Sequence, residues 1–376
     1  MTLADELHSL PRPLAERLAA RGFRSERLLA WAAARTIDRE TRNRLAGEVA
    51  PPRPDDVRDA PVPGSADHAR CEQLGLEALA RGEVALCVLA GGMATRMGGV
   101  VKALVEALPG RTFLALRLAE QRAVEARVGA RPPLWLMVSE ATRGPIESAL
   151  GARADGESVA VFEQCVSLRL DPAGALFRDE RGEPSVYATG HGDLPEALAA
   201  SGLLSRFLAA RGRGTVWIAN LDNLGATLDP ALLGFHLEHR GPLTVEVVDK
   251  LEGDRGGVPV VHEGRRIVAE EFRLPRALDP NGIRVFNTNT FLVDAQALAS
   301  LDFDFTFVEV DKTVDDRKAV QFERLLGELT VPLEPRFVRV PREGVRSRFL
   351  PVKDHAELER RRAEIAEVAR DRGMLR

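Results

Sequence analysis

The segment LAGGMATRMGG (89–99) concentrates residues able to handle an anion. Gly91, Gly92, Gly98 and Gly99 allow positive φ and close backbone approach, so that successive amides can face phosphate oxygens or a base. Arg96 and Lys102 add positive charge beside them. The same glycines would also serve a tight turn with no ligand, the less favoured reading. The spacing lacks G-x-x-x-x-G-K-[ST] and G-x-G-x-x-G, which argues against a P-loop NTPase and a dinucleotide dehydrogenase. His191 stands between Gly190 and Gly192, where flanking glycines expose an imidazole to a ligand or merely form a turn. Only five of the 52 basic residues are lysine (Lys102, Lys250, Lys312, Lys318 and Lys353), and a chain that otherwise prefers arginine retains lysine where a compact ammonium is needed, or by chance. His236, His239, His262 and His355 show no metal-ligand spacing and are expected at the surface. Asp302, Asp304, Asp315 and Asp316 read as solvated loop charges.

Elements must bring these residues together. The runs VALCVLA (84–90), PLWLMVS (133–139), VAVFEQC (159–165), TVWIANLD (215–222), LTVEVVD (243–249) and RVFNTNTFLV (284–293) are short and apolar, the pattern of buried strands. Helical stretches such as 112–127 and 194–210 separate them, predicting an open α/β sheet that is mixed and mostly parallel, with ligands bound beyond the carboxyl ends of the strands. Residues 1–80 read as a small N-terminal helical segment, with Ser25 capping ERLLAWAAA, followed by a non-regular proline-rich linker (51–65) and a helix at about 66–81. The main domain is placed at 81–340, and 341–376 forms a terminal segment ending in a charged amphipathic helix packed through Leu358, Ile365 and Val368.

At 376 residues, with 45% hydrophobic and 29% charged side chains, the chain suits one large globular domain with an appendage, or two domains. A net charge of −4 offers no global field for nucleic acid or an anionic membrane. No apolar run reaches a membrane span and the start MTLADELHSLPRP lacks a signal-peptide layout, so a cytoplasmic location is expected. Cys71, Cys87 and Cys165 are expected to pack as small apolar side chains. The composition sets no oligomeric state and is compatible with a monomer.

The glycine loop is similar to the nucleotide-binding loop of sugar-nucleotide pyrophosphorylases, L-x-G-G-x-G-T-[RS]-[ML]-G followed by Pro-Lys, with Ala94 for the middle glycine, Val101 for the proline and a shorter path from Gly98 to Lys102. Further along, FEQCVSLRL (162–170), TGHGDLPEALAASGLL (189–204), WIANLDNLGATLDP (217–230), VEVVDKLEGDRGG (245–257), FNTNT (286–290) and VRSRFLPVK (345–353) follow in the order of one family. The chain resembles the UTP–glucose-1-phosphate uridylyltransferases. Lys102, Lys250, Lys312 and Lys353 fall where that family has lysine, whereas residues before about 80 carry no resemblance.

The resemblance implies a Rossmann-like, GT-A-like fold and attack of a glucose-1-phosphate oxygen on the α-phosphorus of UTP, expelling pyrophosphate. Joining two anions asks for cations and in-line positioning. Catalysis is accordingly expected from Lys102, Lys353, Asp222 and Arg96, with Asp222 holding magnesium; a strand-end aspartate is otherwise a helix cap. Nucleotide binding falls to Ala90, Gly91, Gly92, Gln164, Gly190 and Asn220, where the Gln164 amide suits the imide edge of uracil. Sugar-phosphate binding falls to His191, Asn220, Gly257, Glu270, Asn287 and Asn289. UDP-N-acetylhexosamine and broad-specificity UDP-sugar pyrophosphorylases are alternatives within the chemistry, and a catalytically weakened sugar-nucleotide-binding regulator is one outside it.

Overall fold

A computed structural model describes residues 2–94 and 97–375. Its centre is an eight-stranded sheet. The strands are β1 (Val57–Asp59), β2 (Val84–Leu89), β3 (Leu134–Val138), β4 (Val159–Glu163), β5 (Thr215–Asn220), β6 (Leu243–Asp249), β7 (Val285–Asp294) and β8 (Arg336–Arg339). Their spatial order is β1-β8-β6-β7-β5-β2-β3-β4. Only the β5–β7 and β6–β7 pairings are antiparallel; the rest are parallel, so β7 alone runs against its neighbours. The mixed, mostly parallel sheet read from the apolar runs is what forms. β7 differs because 284–293 is reached without a crossover helix, and a strand joined by a hairpin-rich path can return antiparallel.

Alternate side chains of each central strand enter opposite cores, as strand geometry requires. On β2, Val84, Leu86 and Val88 pack with the helices Ala66–Ala80, Phe113–Val128 and Pro230–Glu238 through Leu79, Leu116 and Leu233. Ala85 and Cys87 face Leu198, Phe207 and Leu298 on the helices Leu194–Ser201, Leu203–Arg211 and Ala295–Ala299. Burial on both faces explains why the strands read as unbroken apolar runs. Gly202, at φ 71°, splits the helical stretch expected at 194–210 in two.

The N-terminal segment is helical as expected (Leu3–His8, Arg12–Ala19, Ser25–Ala34 and Arg39–Asn43), although Ser25 is the first helical residue and Arg24 occupies the cap position without a side-chain bond. Leu7, Leu18, Leu28 and Trp31 form a third core with Leu168, Val320 and Phe322, the last two on the hairpin Phe307–Val314/Arg317–Arg324. The proline-rich stretch corrects the sequence reading: it is not wholly irregular but contains β1, which pairs in parallel with β8 at the sheet edge. An edge position tolerates the prolines that flank it. All three cysteines are free and buried. His236 is buried rather than exposed, bonded through Nδ1 to Thr244 Oγ1 at 2.9 Å. No described helix is long and apolar enough to cross a membrane.

Candidate active site

Because seven strands point one way, their carboxyl ends form one rim, and the reversed β7 presents its N-terminal half there, with Val247 opposite Asn287. That register interrupts the ladder between Asn287 and Thr290, and Thr288 and Asn289 bulge out. Asn289 adopts φ 58°, a left-handed conformation that asparagine tolerates better than most residues. Its Nδ2 donates to Asn220 Oδ1 on the neighbouring β5 (2.9 Å) and its backbone N to Asn287 Oδ1 (3.0 Å). Next along, a Cβ on Gly257 would sit 3.2 Å from Asn287 Nδ2 and 3.3 Å from Glu270 Oε1, so the glycine leaves room for both groups. Burial, reinforced by the neighbouring Glu271, pushes the Glu270 carboxyl up to about 7.

At the centre, Lys102 Nζ lies 2.5 Å from Asp222 Oδ2, both side chains largely buried. Lys102 reaches this point because Val100–Val101 pairs with Met93–Ala94 and the Lys102 amide donates to the Gly92 carbonyl, closing the glycine loop. Asp222 caps no helix; Asp229 caps Pro230–Glu238 instead. On the other flank, the Ala90 amide donates to Met137 O at 2.7 Å, and Ser139 Oγ to Gly91 O at 3.0 Å. A Cβ on Gly91 would fall 2.5 Å from Gln164 Oε1, so only glycine lets that amide lie across the loop. Arg96 lies outside the described residues.

Two expected members have other neighbours. The Lys353 ammonium makes no ion pair among the described residues, though its charge helps hold the nearby Asp254 carboxyl below its usual range, behind the larger effect of the Arg342 and Leu251 hydrogen bonds. His191 Nδ1 accepts from the Leu326 amide (2.8 Å), which requires a neutral ring with its proton on Nε2; burial also lowers the imidazole. The glycines around it serve packing rather than ligand access. A Cβ on Gly190 would lie 2.6 Å from Arg324 O, and one on Gly192 2.6 Å from Arg324 C. Arg324 in turn pairs with buried Asp193 (2.6 Å), the aspartate of the same motif.

The residues that set the Asp222 loop were not singled out in the sequence. Buried Arg117 donates to the carbonyls of Asn220 (2.8 Å), Asn223 (2.7 Å) and Ala226 (2.9 Å). Arg348, paired with buried Glu246 at 2.6 Å, donates to Thr227 O at 2.8 Å. Asn223 bonds back to Arg348 O and Leu350 N. A signal was present for Arg348, inside VRSRFLPVK, but Arg117 lies in an ordinary helix among 47 arginines and had none.

A single strand-end carboxylate suits magnesium, which keeps waters and uses one or two carboxylates plus substrate phosphates. No group of three metal-ligating side chains occurs among the described residues, so any such ion would depend on Asp222 and on phosphate oxygens.

A family model described as UTP–glucose-1-phosphate uridylyltransferase matches residues 44–372, which corrects the reading that the resemblance begins only after about residue 80. The UTP–glucose-1-phosphate uridylyltransferase of Musa acuminata is 30% identical over 73% of this chain and 62% of its own length. The chain thus spans about three fifths of the length of the curated relatives it matches. Among solved structures, the UDP-glucose phosphorylase of Trypanosoma brucei aligns with a TM-score of 0.74 at 24% identity, covering 92% of this chain and 77% of that one. The UDP-N-acetylglucosamine pyrophosphorylase of the same organism aligns at 0.72 and 20% identity, covering 95% and 81%. These two likenesses establish the fold.

Proposed function

Since the chain belongs to the UTP–glucose-1-phosphate uridylyltransferase family, we propose that it transfers uridylyl from UTP to glucose-1-phosphate, releasing pyrophosphate and UDP-glucose. The observation that carries this reading is the row along one rim: the Gln164–Gly91 contact, the Lys102–Asp222 pair, and the Asn220–Asn289–Asn287 chain leading to Gly257 and Glu270. Base, reacting phosphates and sugar have the same linear order in the product.

In the reaction a phosphate oxygen of glucose-1-phosphate forms a bond to the α-phosphorus of UTP, and the bond to the β,γ-pyrophosphate oxygen breaks. Gln164 would hold the uracil edge with one donor and one acceptor. Lys102 would turn from Asp222 to the phosphates, its charge offsetting that of two approaching anions. Asp222 would hold magnesium, which when bound adds a further positive charge across the phosphate oxygens. Neutral amides of Asn287 and Asn289, with Glu270, suit sugar hydroxyls. Lys353 is assigned to the pyrophosphate side, and His191 Nε2–H to the sugar phosphate.

Pyrophosphate release with UTP and glucose-1-phosphate, compared with galactose-1-phosphate and N-acetylglucosamine-1-phosphate, tests the proposal. Glucose-1-phosphate should give the highest kcat/KM. A higher value for the N-acetylated sugar moves the protein to that branch of the chemistry, equal values for glucose and galactose make it a broad-specificity enzyme, and no release from any sugar phosphate leaves only a binding role.

A further inference from the structure

The C-terminal helix His355–Asp371 starts two residues after Lys353, and Asp354 caps it by accepting from the Glu357 amide at 2.8 Å. It packs through Leu358, Ile365 and Val368 into the core that also contains Leu108, on the strand Glu106–Leu108 a few residues beyond Lys102. At its far end Arg372 turns into the loop that follows Asp222. Arg372 Nη1 donates to the Gly225 carbonyl and to Thr227 Oγ1 (2.9 Å), and Nη2 donates to the Ser347 carbonyl (2.7 Å). One guanidinium therefore grips both the loop bearing Asp222 and the segment leading to Lys353.

None of those three acceptors is a carboxylate, and the neighbouring cation is Arg348. The carboxylates of Asp229, Glu120 and Glu246 are near enough to favour its charge, yet burial and the charge of Arg348 outweigh them and lower Arg372 to about 10. A planar fork spanning two chain segments is what the position uses, and an ammonium cannot reproduce it. Arg117 and Arg348 take the carbonyls of Asn220, Asn223, Ala226 and Thr227, and the Gly225 carbonyl accepts from Arg372 and from the Thr227 amide (3.0 Å).

We propose that Arg372 is a positioning residue of the transfer reaction, fixing Asp222 relative to Lys353 and Lys102 through the terminal helix without touching substrate. This rests on the uridylyl-transfer reading for its kinetic consequence, but not for its structural one. Arg372→Ala should lower kcat about tenfold or more while leaving KM for both substrates within about twofold, because a loosened catalytic group is felt in the transition state more than in binding. Millimolar guanidinium ion should restore part of that kcat, Arg372→Lys should recover less, and amide exchange over 222–227 should accelerate in the alanine variant. Leu298→Ala, which weakens the core at the opposite end of the sheet, should lower Tm without changing kcat. Unchanged kcat in Arg372→Ala, a loss shared equally by Leu298→Ala, or unchanged exchange over 222–227 overturns the proposal. Should the wild type show no transfer, the uridylyl reading fails and the exchange rates alone decide whether Arg372 holds the loop.

Discussion

At the scale of single residues, the proposed reaction requires the Lys102–Asp222 pair at 2.5 Å to be exchanged, Lys102 for the substrate phosphates and Asp222 for the metal. Asp222→Ala should lower kcat by about two to three orders of magnitude and abolish any dependence on added magnesium, while Lys102→Ala should cost a comparable factor with the metal dependence retained. A titration of rate against magnesium for both variants separates the roles. Gln164→Ala should narrow the preference for UTP over CTP by about tenfold or more, because a site built to bond one base edge leaves its groups unpaired with another. Competition assays with the two nucleotides read this directly. Glu270 carries a pH signature. Its carboxyl is raised from 4.5 to about 7 in the folded chain, so between those values the native state binds the extra proton and stability falls as pH rises. Glu270→Gln should flatten the stability profile over that window and be more stable than wild type above it, measured by urea unfolding from pH 4 to pH 8.

At the scale of elements, the Asp222 loop is a short irregular connection made rigid by cations buried beneath it. Its glycine is not there for freedom of φ. A Cβ on Gly225 would lie 2.7 Å from the carbonyl carbon of Arg348 and 2.9 Å from its Cα, so the loop and the 345–353 segment are pressed backbone to backbone. Gly225→Ala should destabilise the fold by about 1–3 kcal/mol and slow transfer by displacing Asp222, read from a denaturant melt and kcat on the same preparation. A similar close approach joins the helices 66–80 and 230–238. There a Cβ on Gly75 would meet Pro230 O at 1.9 Å and one on Gly234 would meet Cys71 O at 1.8 Å. Helix contact at such short range seats the helix Ala66–Ala80 against Pro230–Glu238 in the main core.

At the scale of the whole molecule, the N-terminal residues are bound to the hairpin 307–324, the segment 166–176 and the helix Leu194–Ser201 by apolar and ionic contacts. Trp31 stacks near Phe307 and Phe322, with ring centroids 5.1 and 5.5 Å away. Glu196 bridges Arg27 (3.0 Å) and Arg324 (2.7 Å), and Arg324 holds Asp193 of the His191 motif. Removing residues 1–48 should therefore expose Leu168, Val320 and Phe322, lower Tm, and raise binding of a hydrophobic dye. It should also weaken the packing around His191, visible as faster amide exchange over 189–193. A truncated chain with unchanged Tm and exchange would mean that these helices are an independent appendage.

The apolar runs on their own determined six of the eight central strands, because a strand buried on both faces leaves a continuous apolar signature whatever its neighbours are. The order of motifs from Leu89 to Lys353 likewise determined the family, and the elements at the rim. Neither could yield β1, whose three residues Val57–Asp59 have no apolar pattern and exist as a strand only because β8 offers an edge. The reversed direction of β7 was equally hidden, since strand sense depends on the path of the chain between strands. Within the site, the glycine of GGMATRMGG that matters for Gln164 was in plain view, while the reason, a side chain reaching over from the residue just after β4, was not. Arg117 and Arg372 were unreadable because most of their bonds go to backbone carbonyls. Those acceptors are chemically identical at every position, and only tertiary packing selects which of them a buried guanidinium will meet.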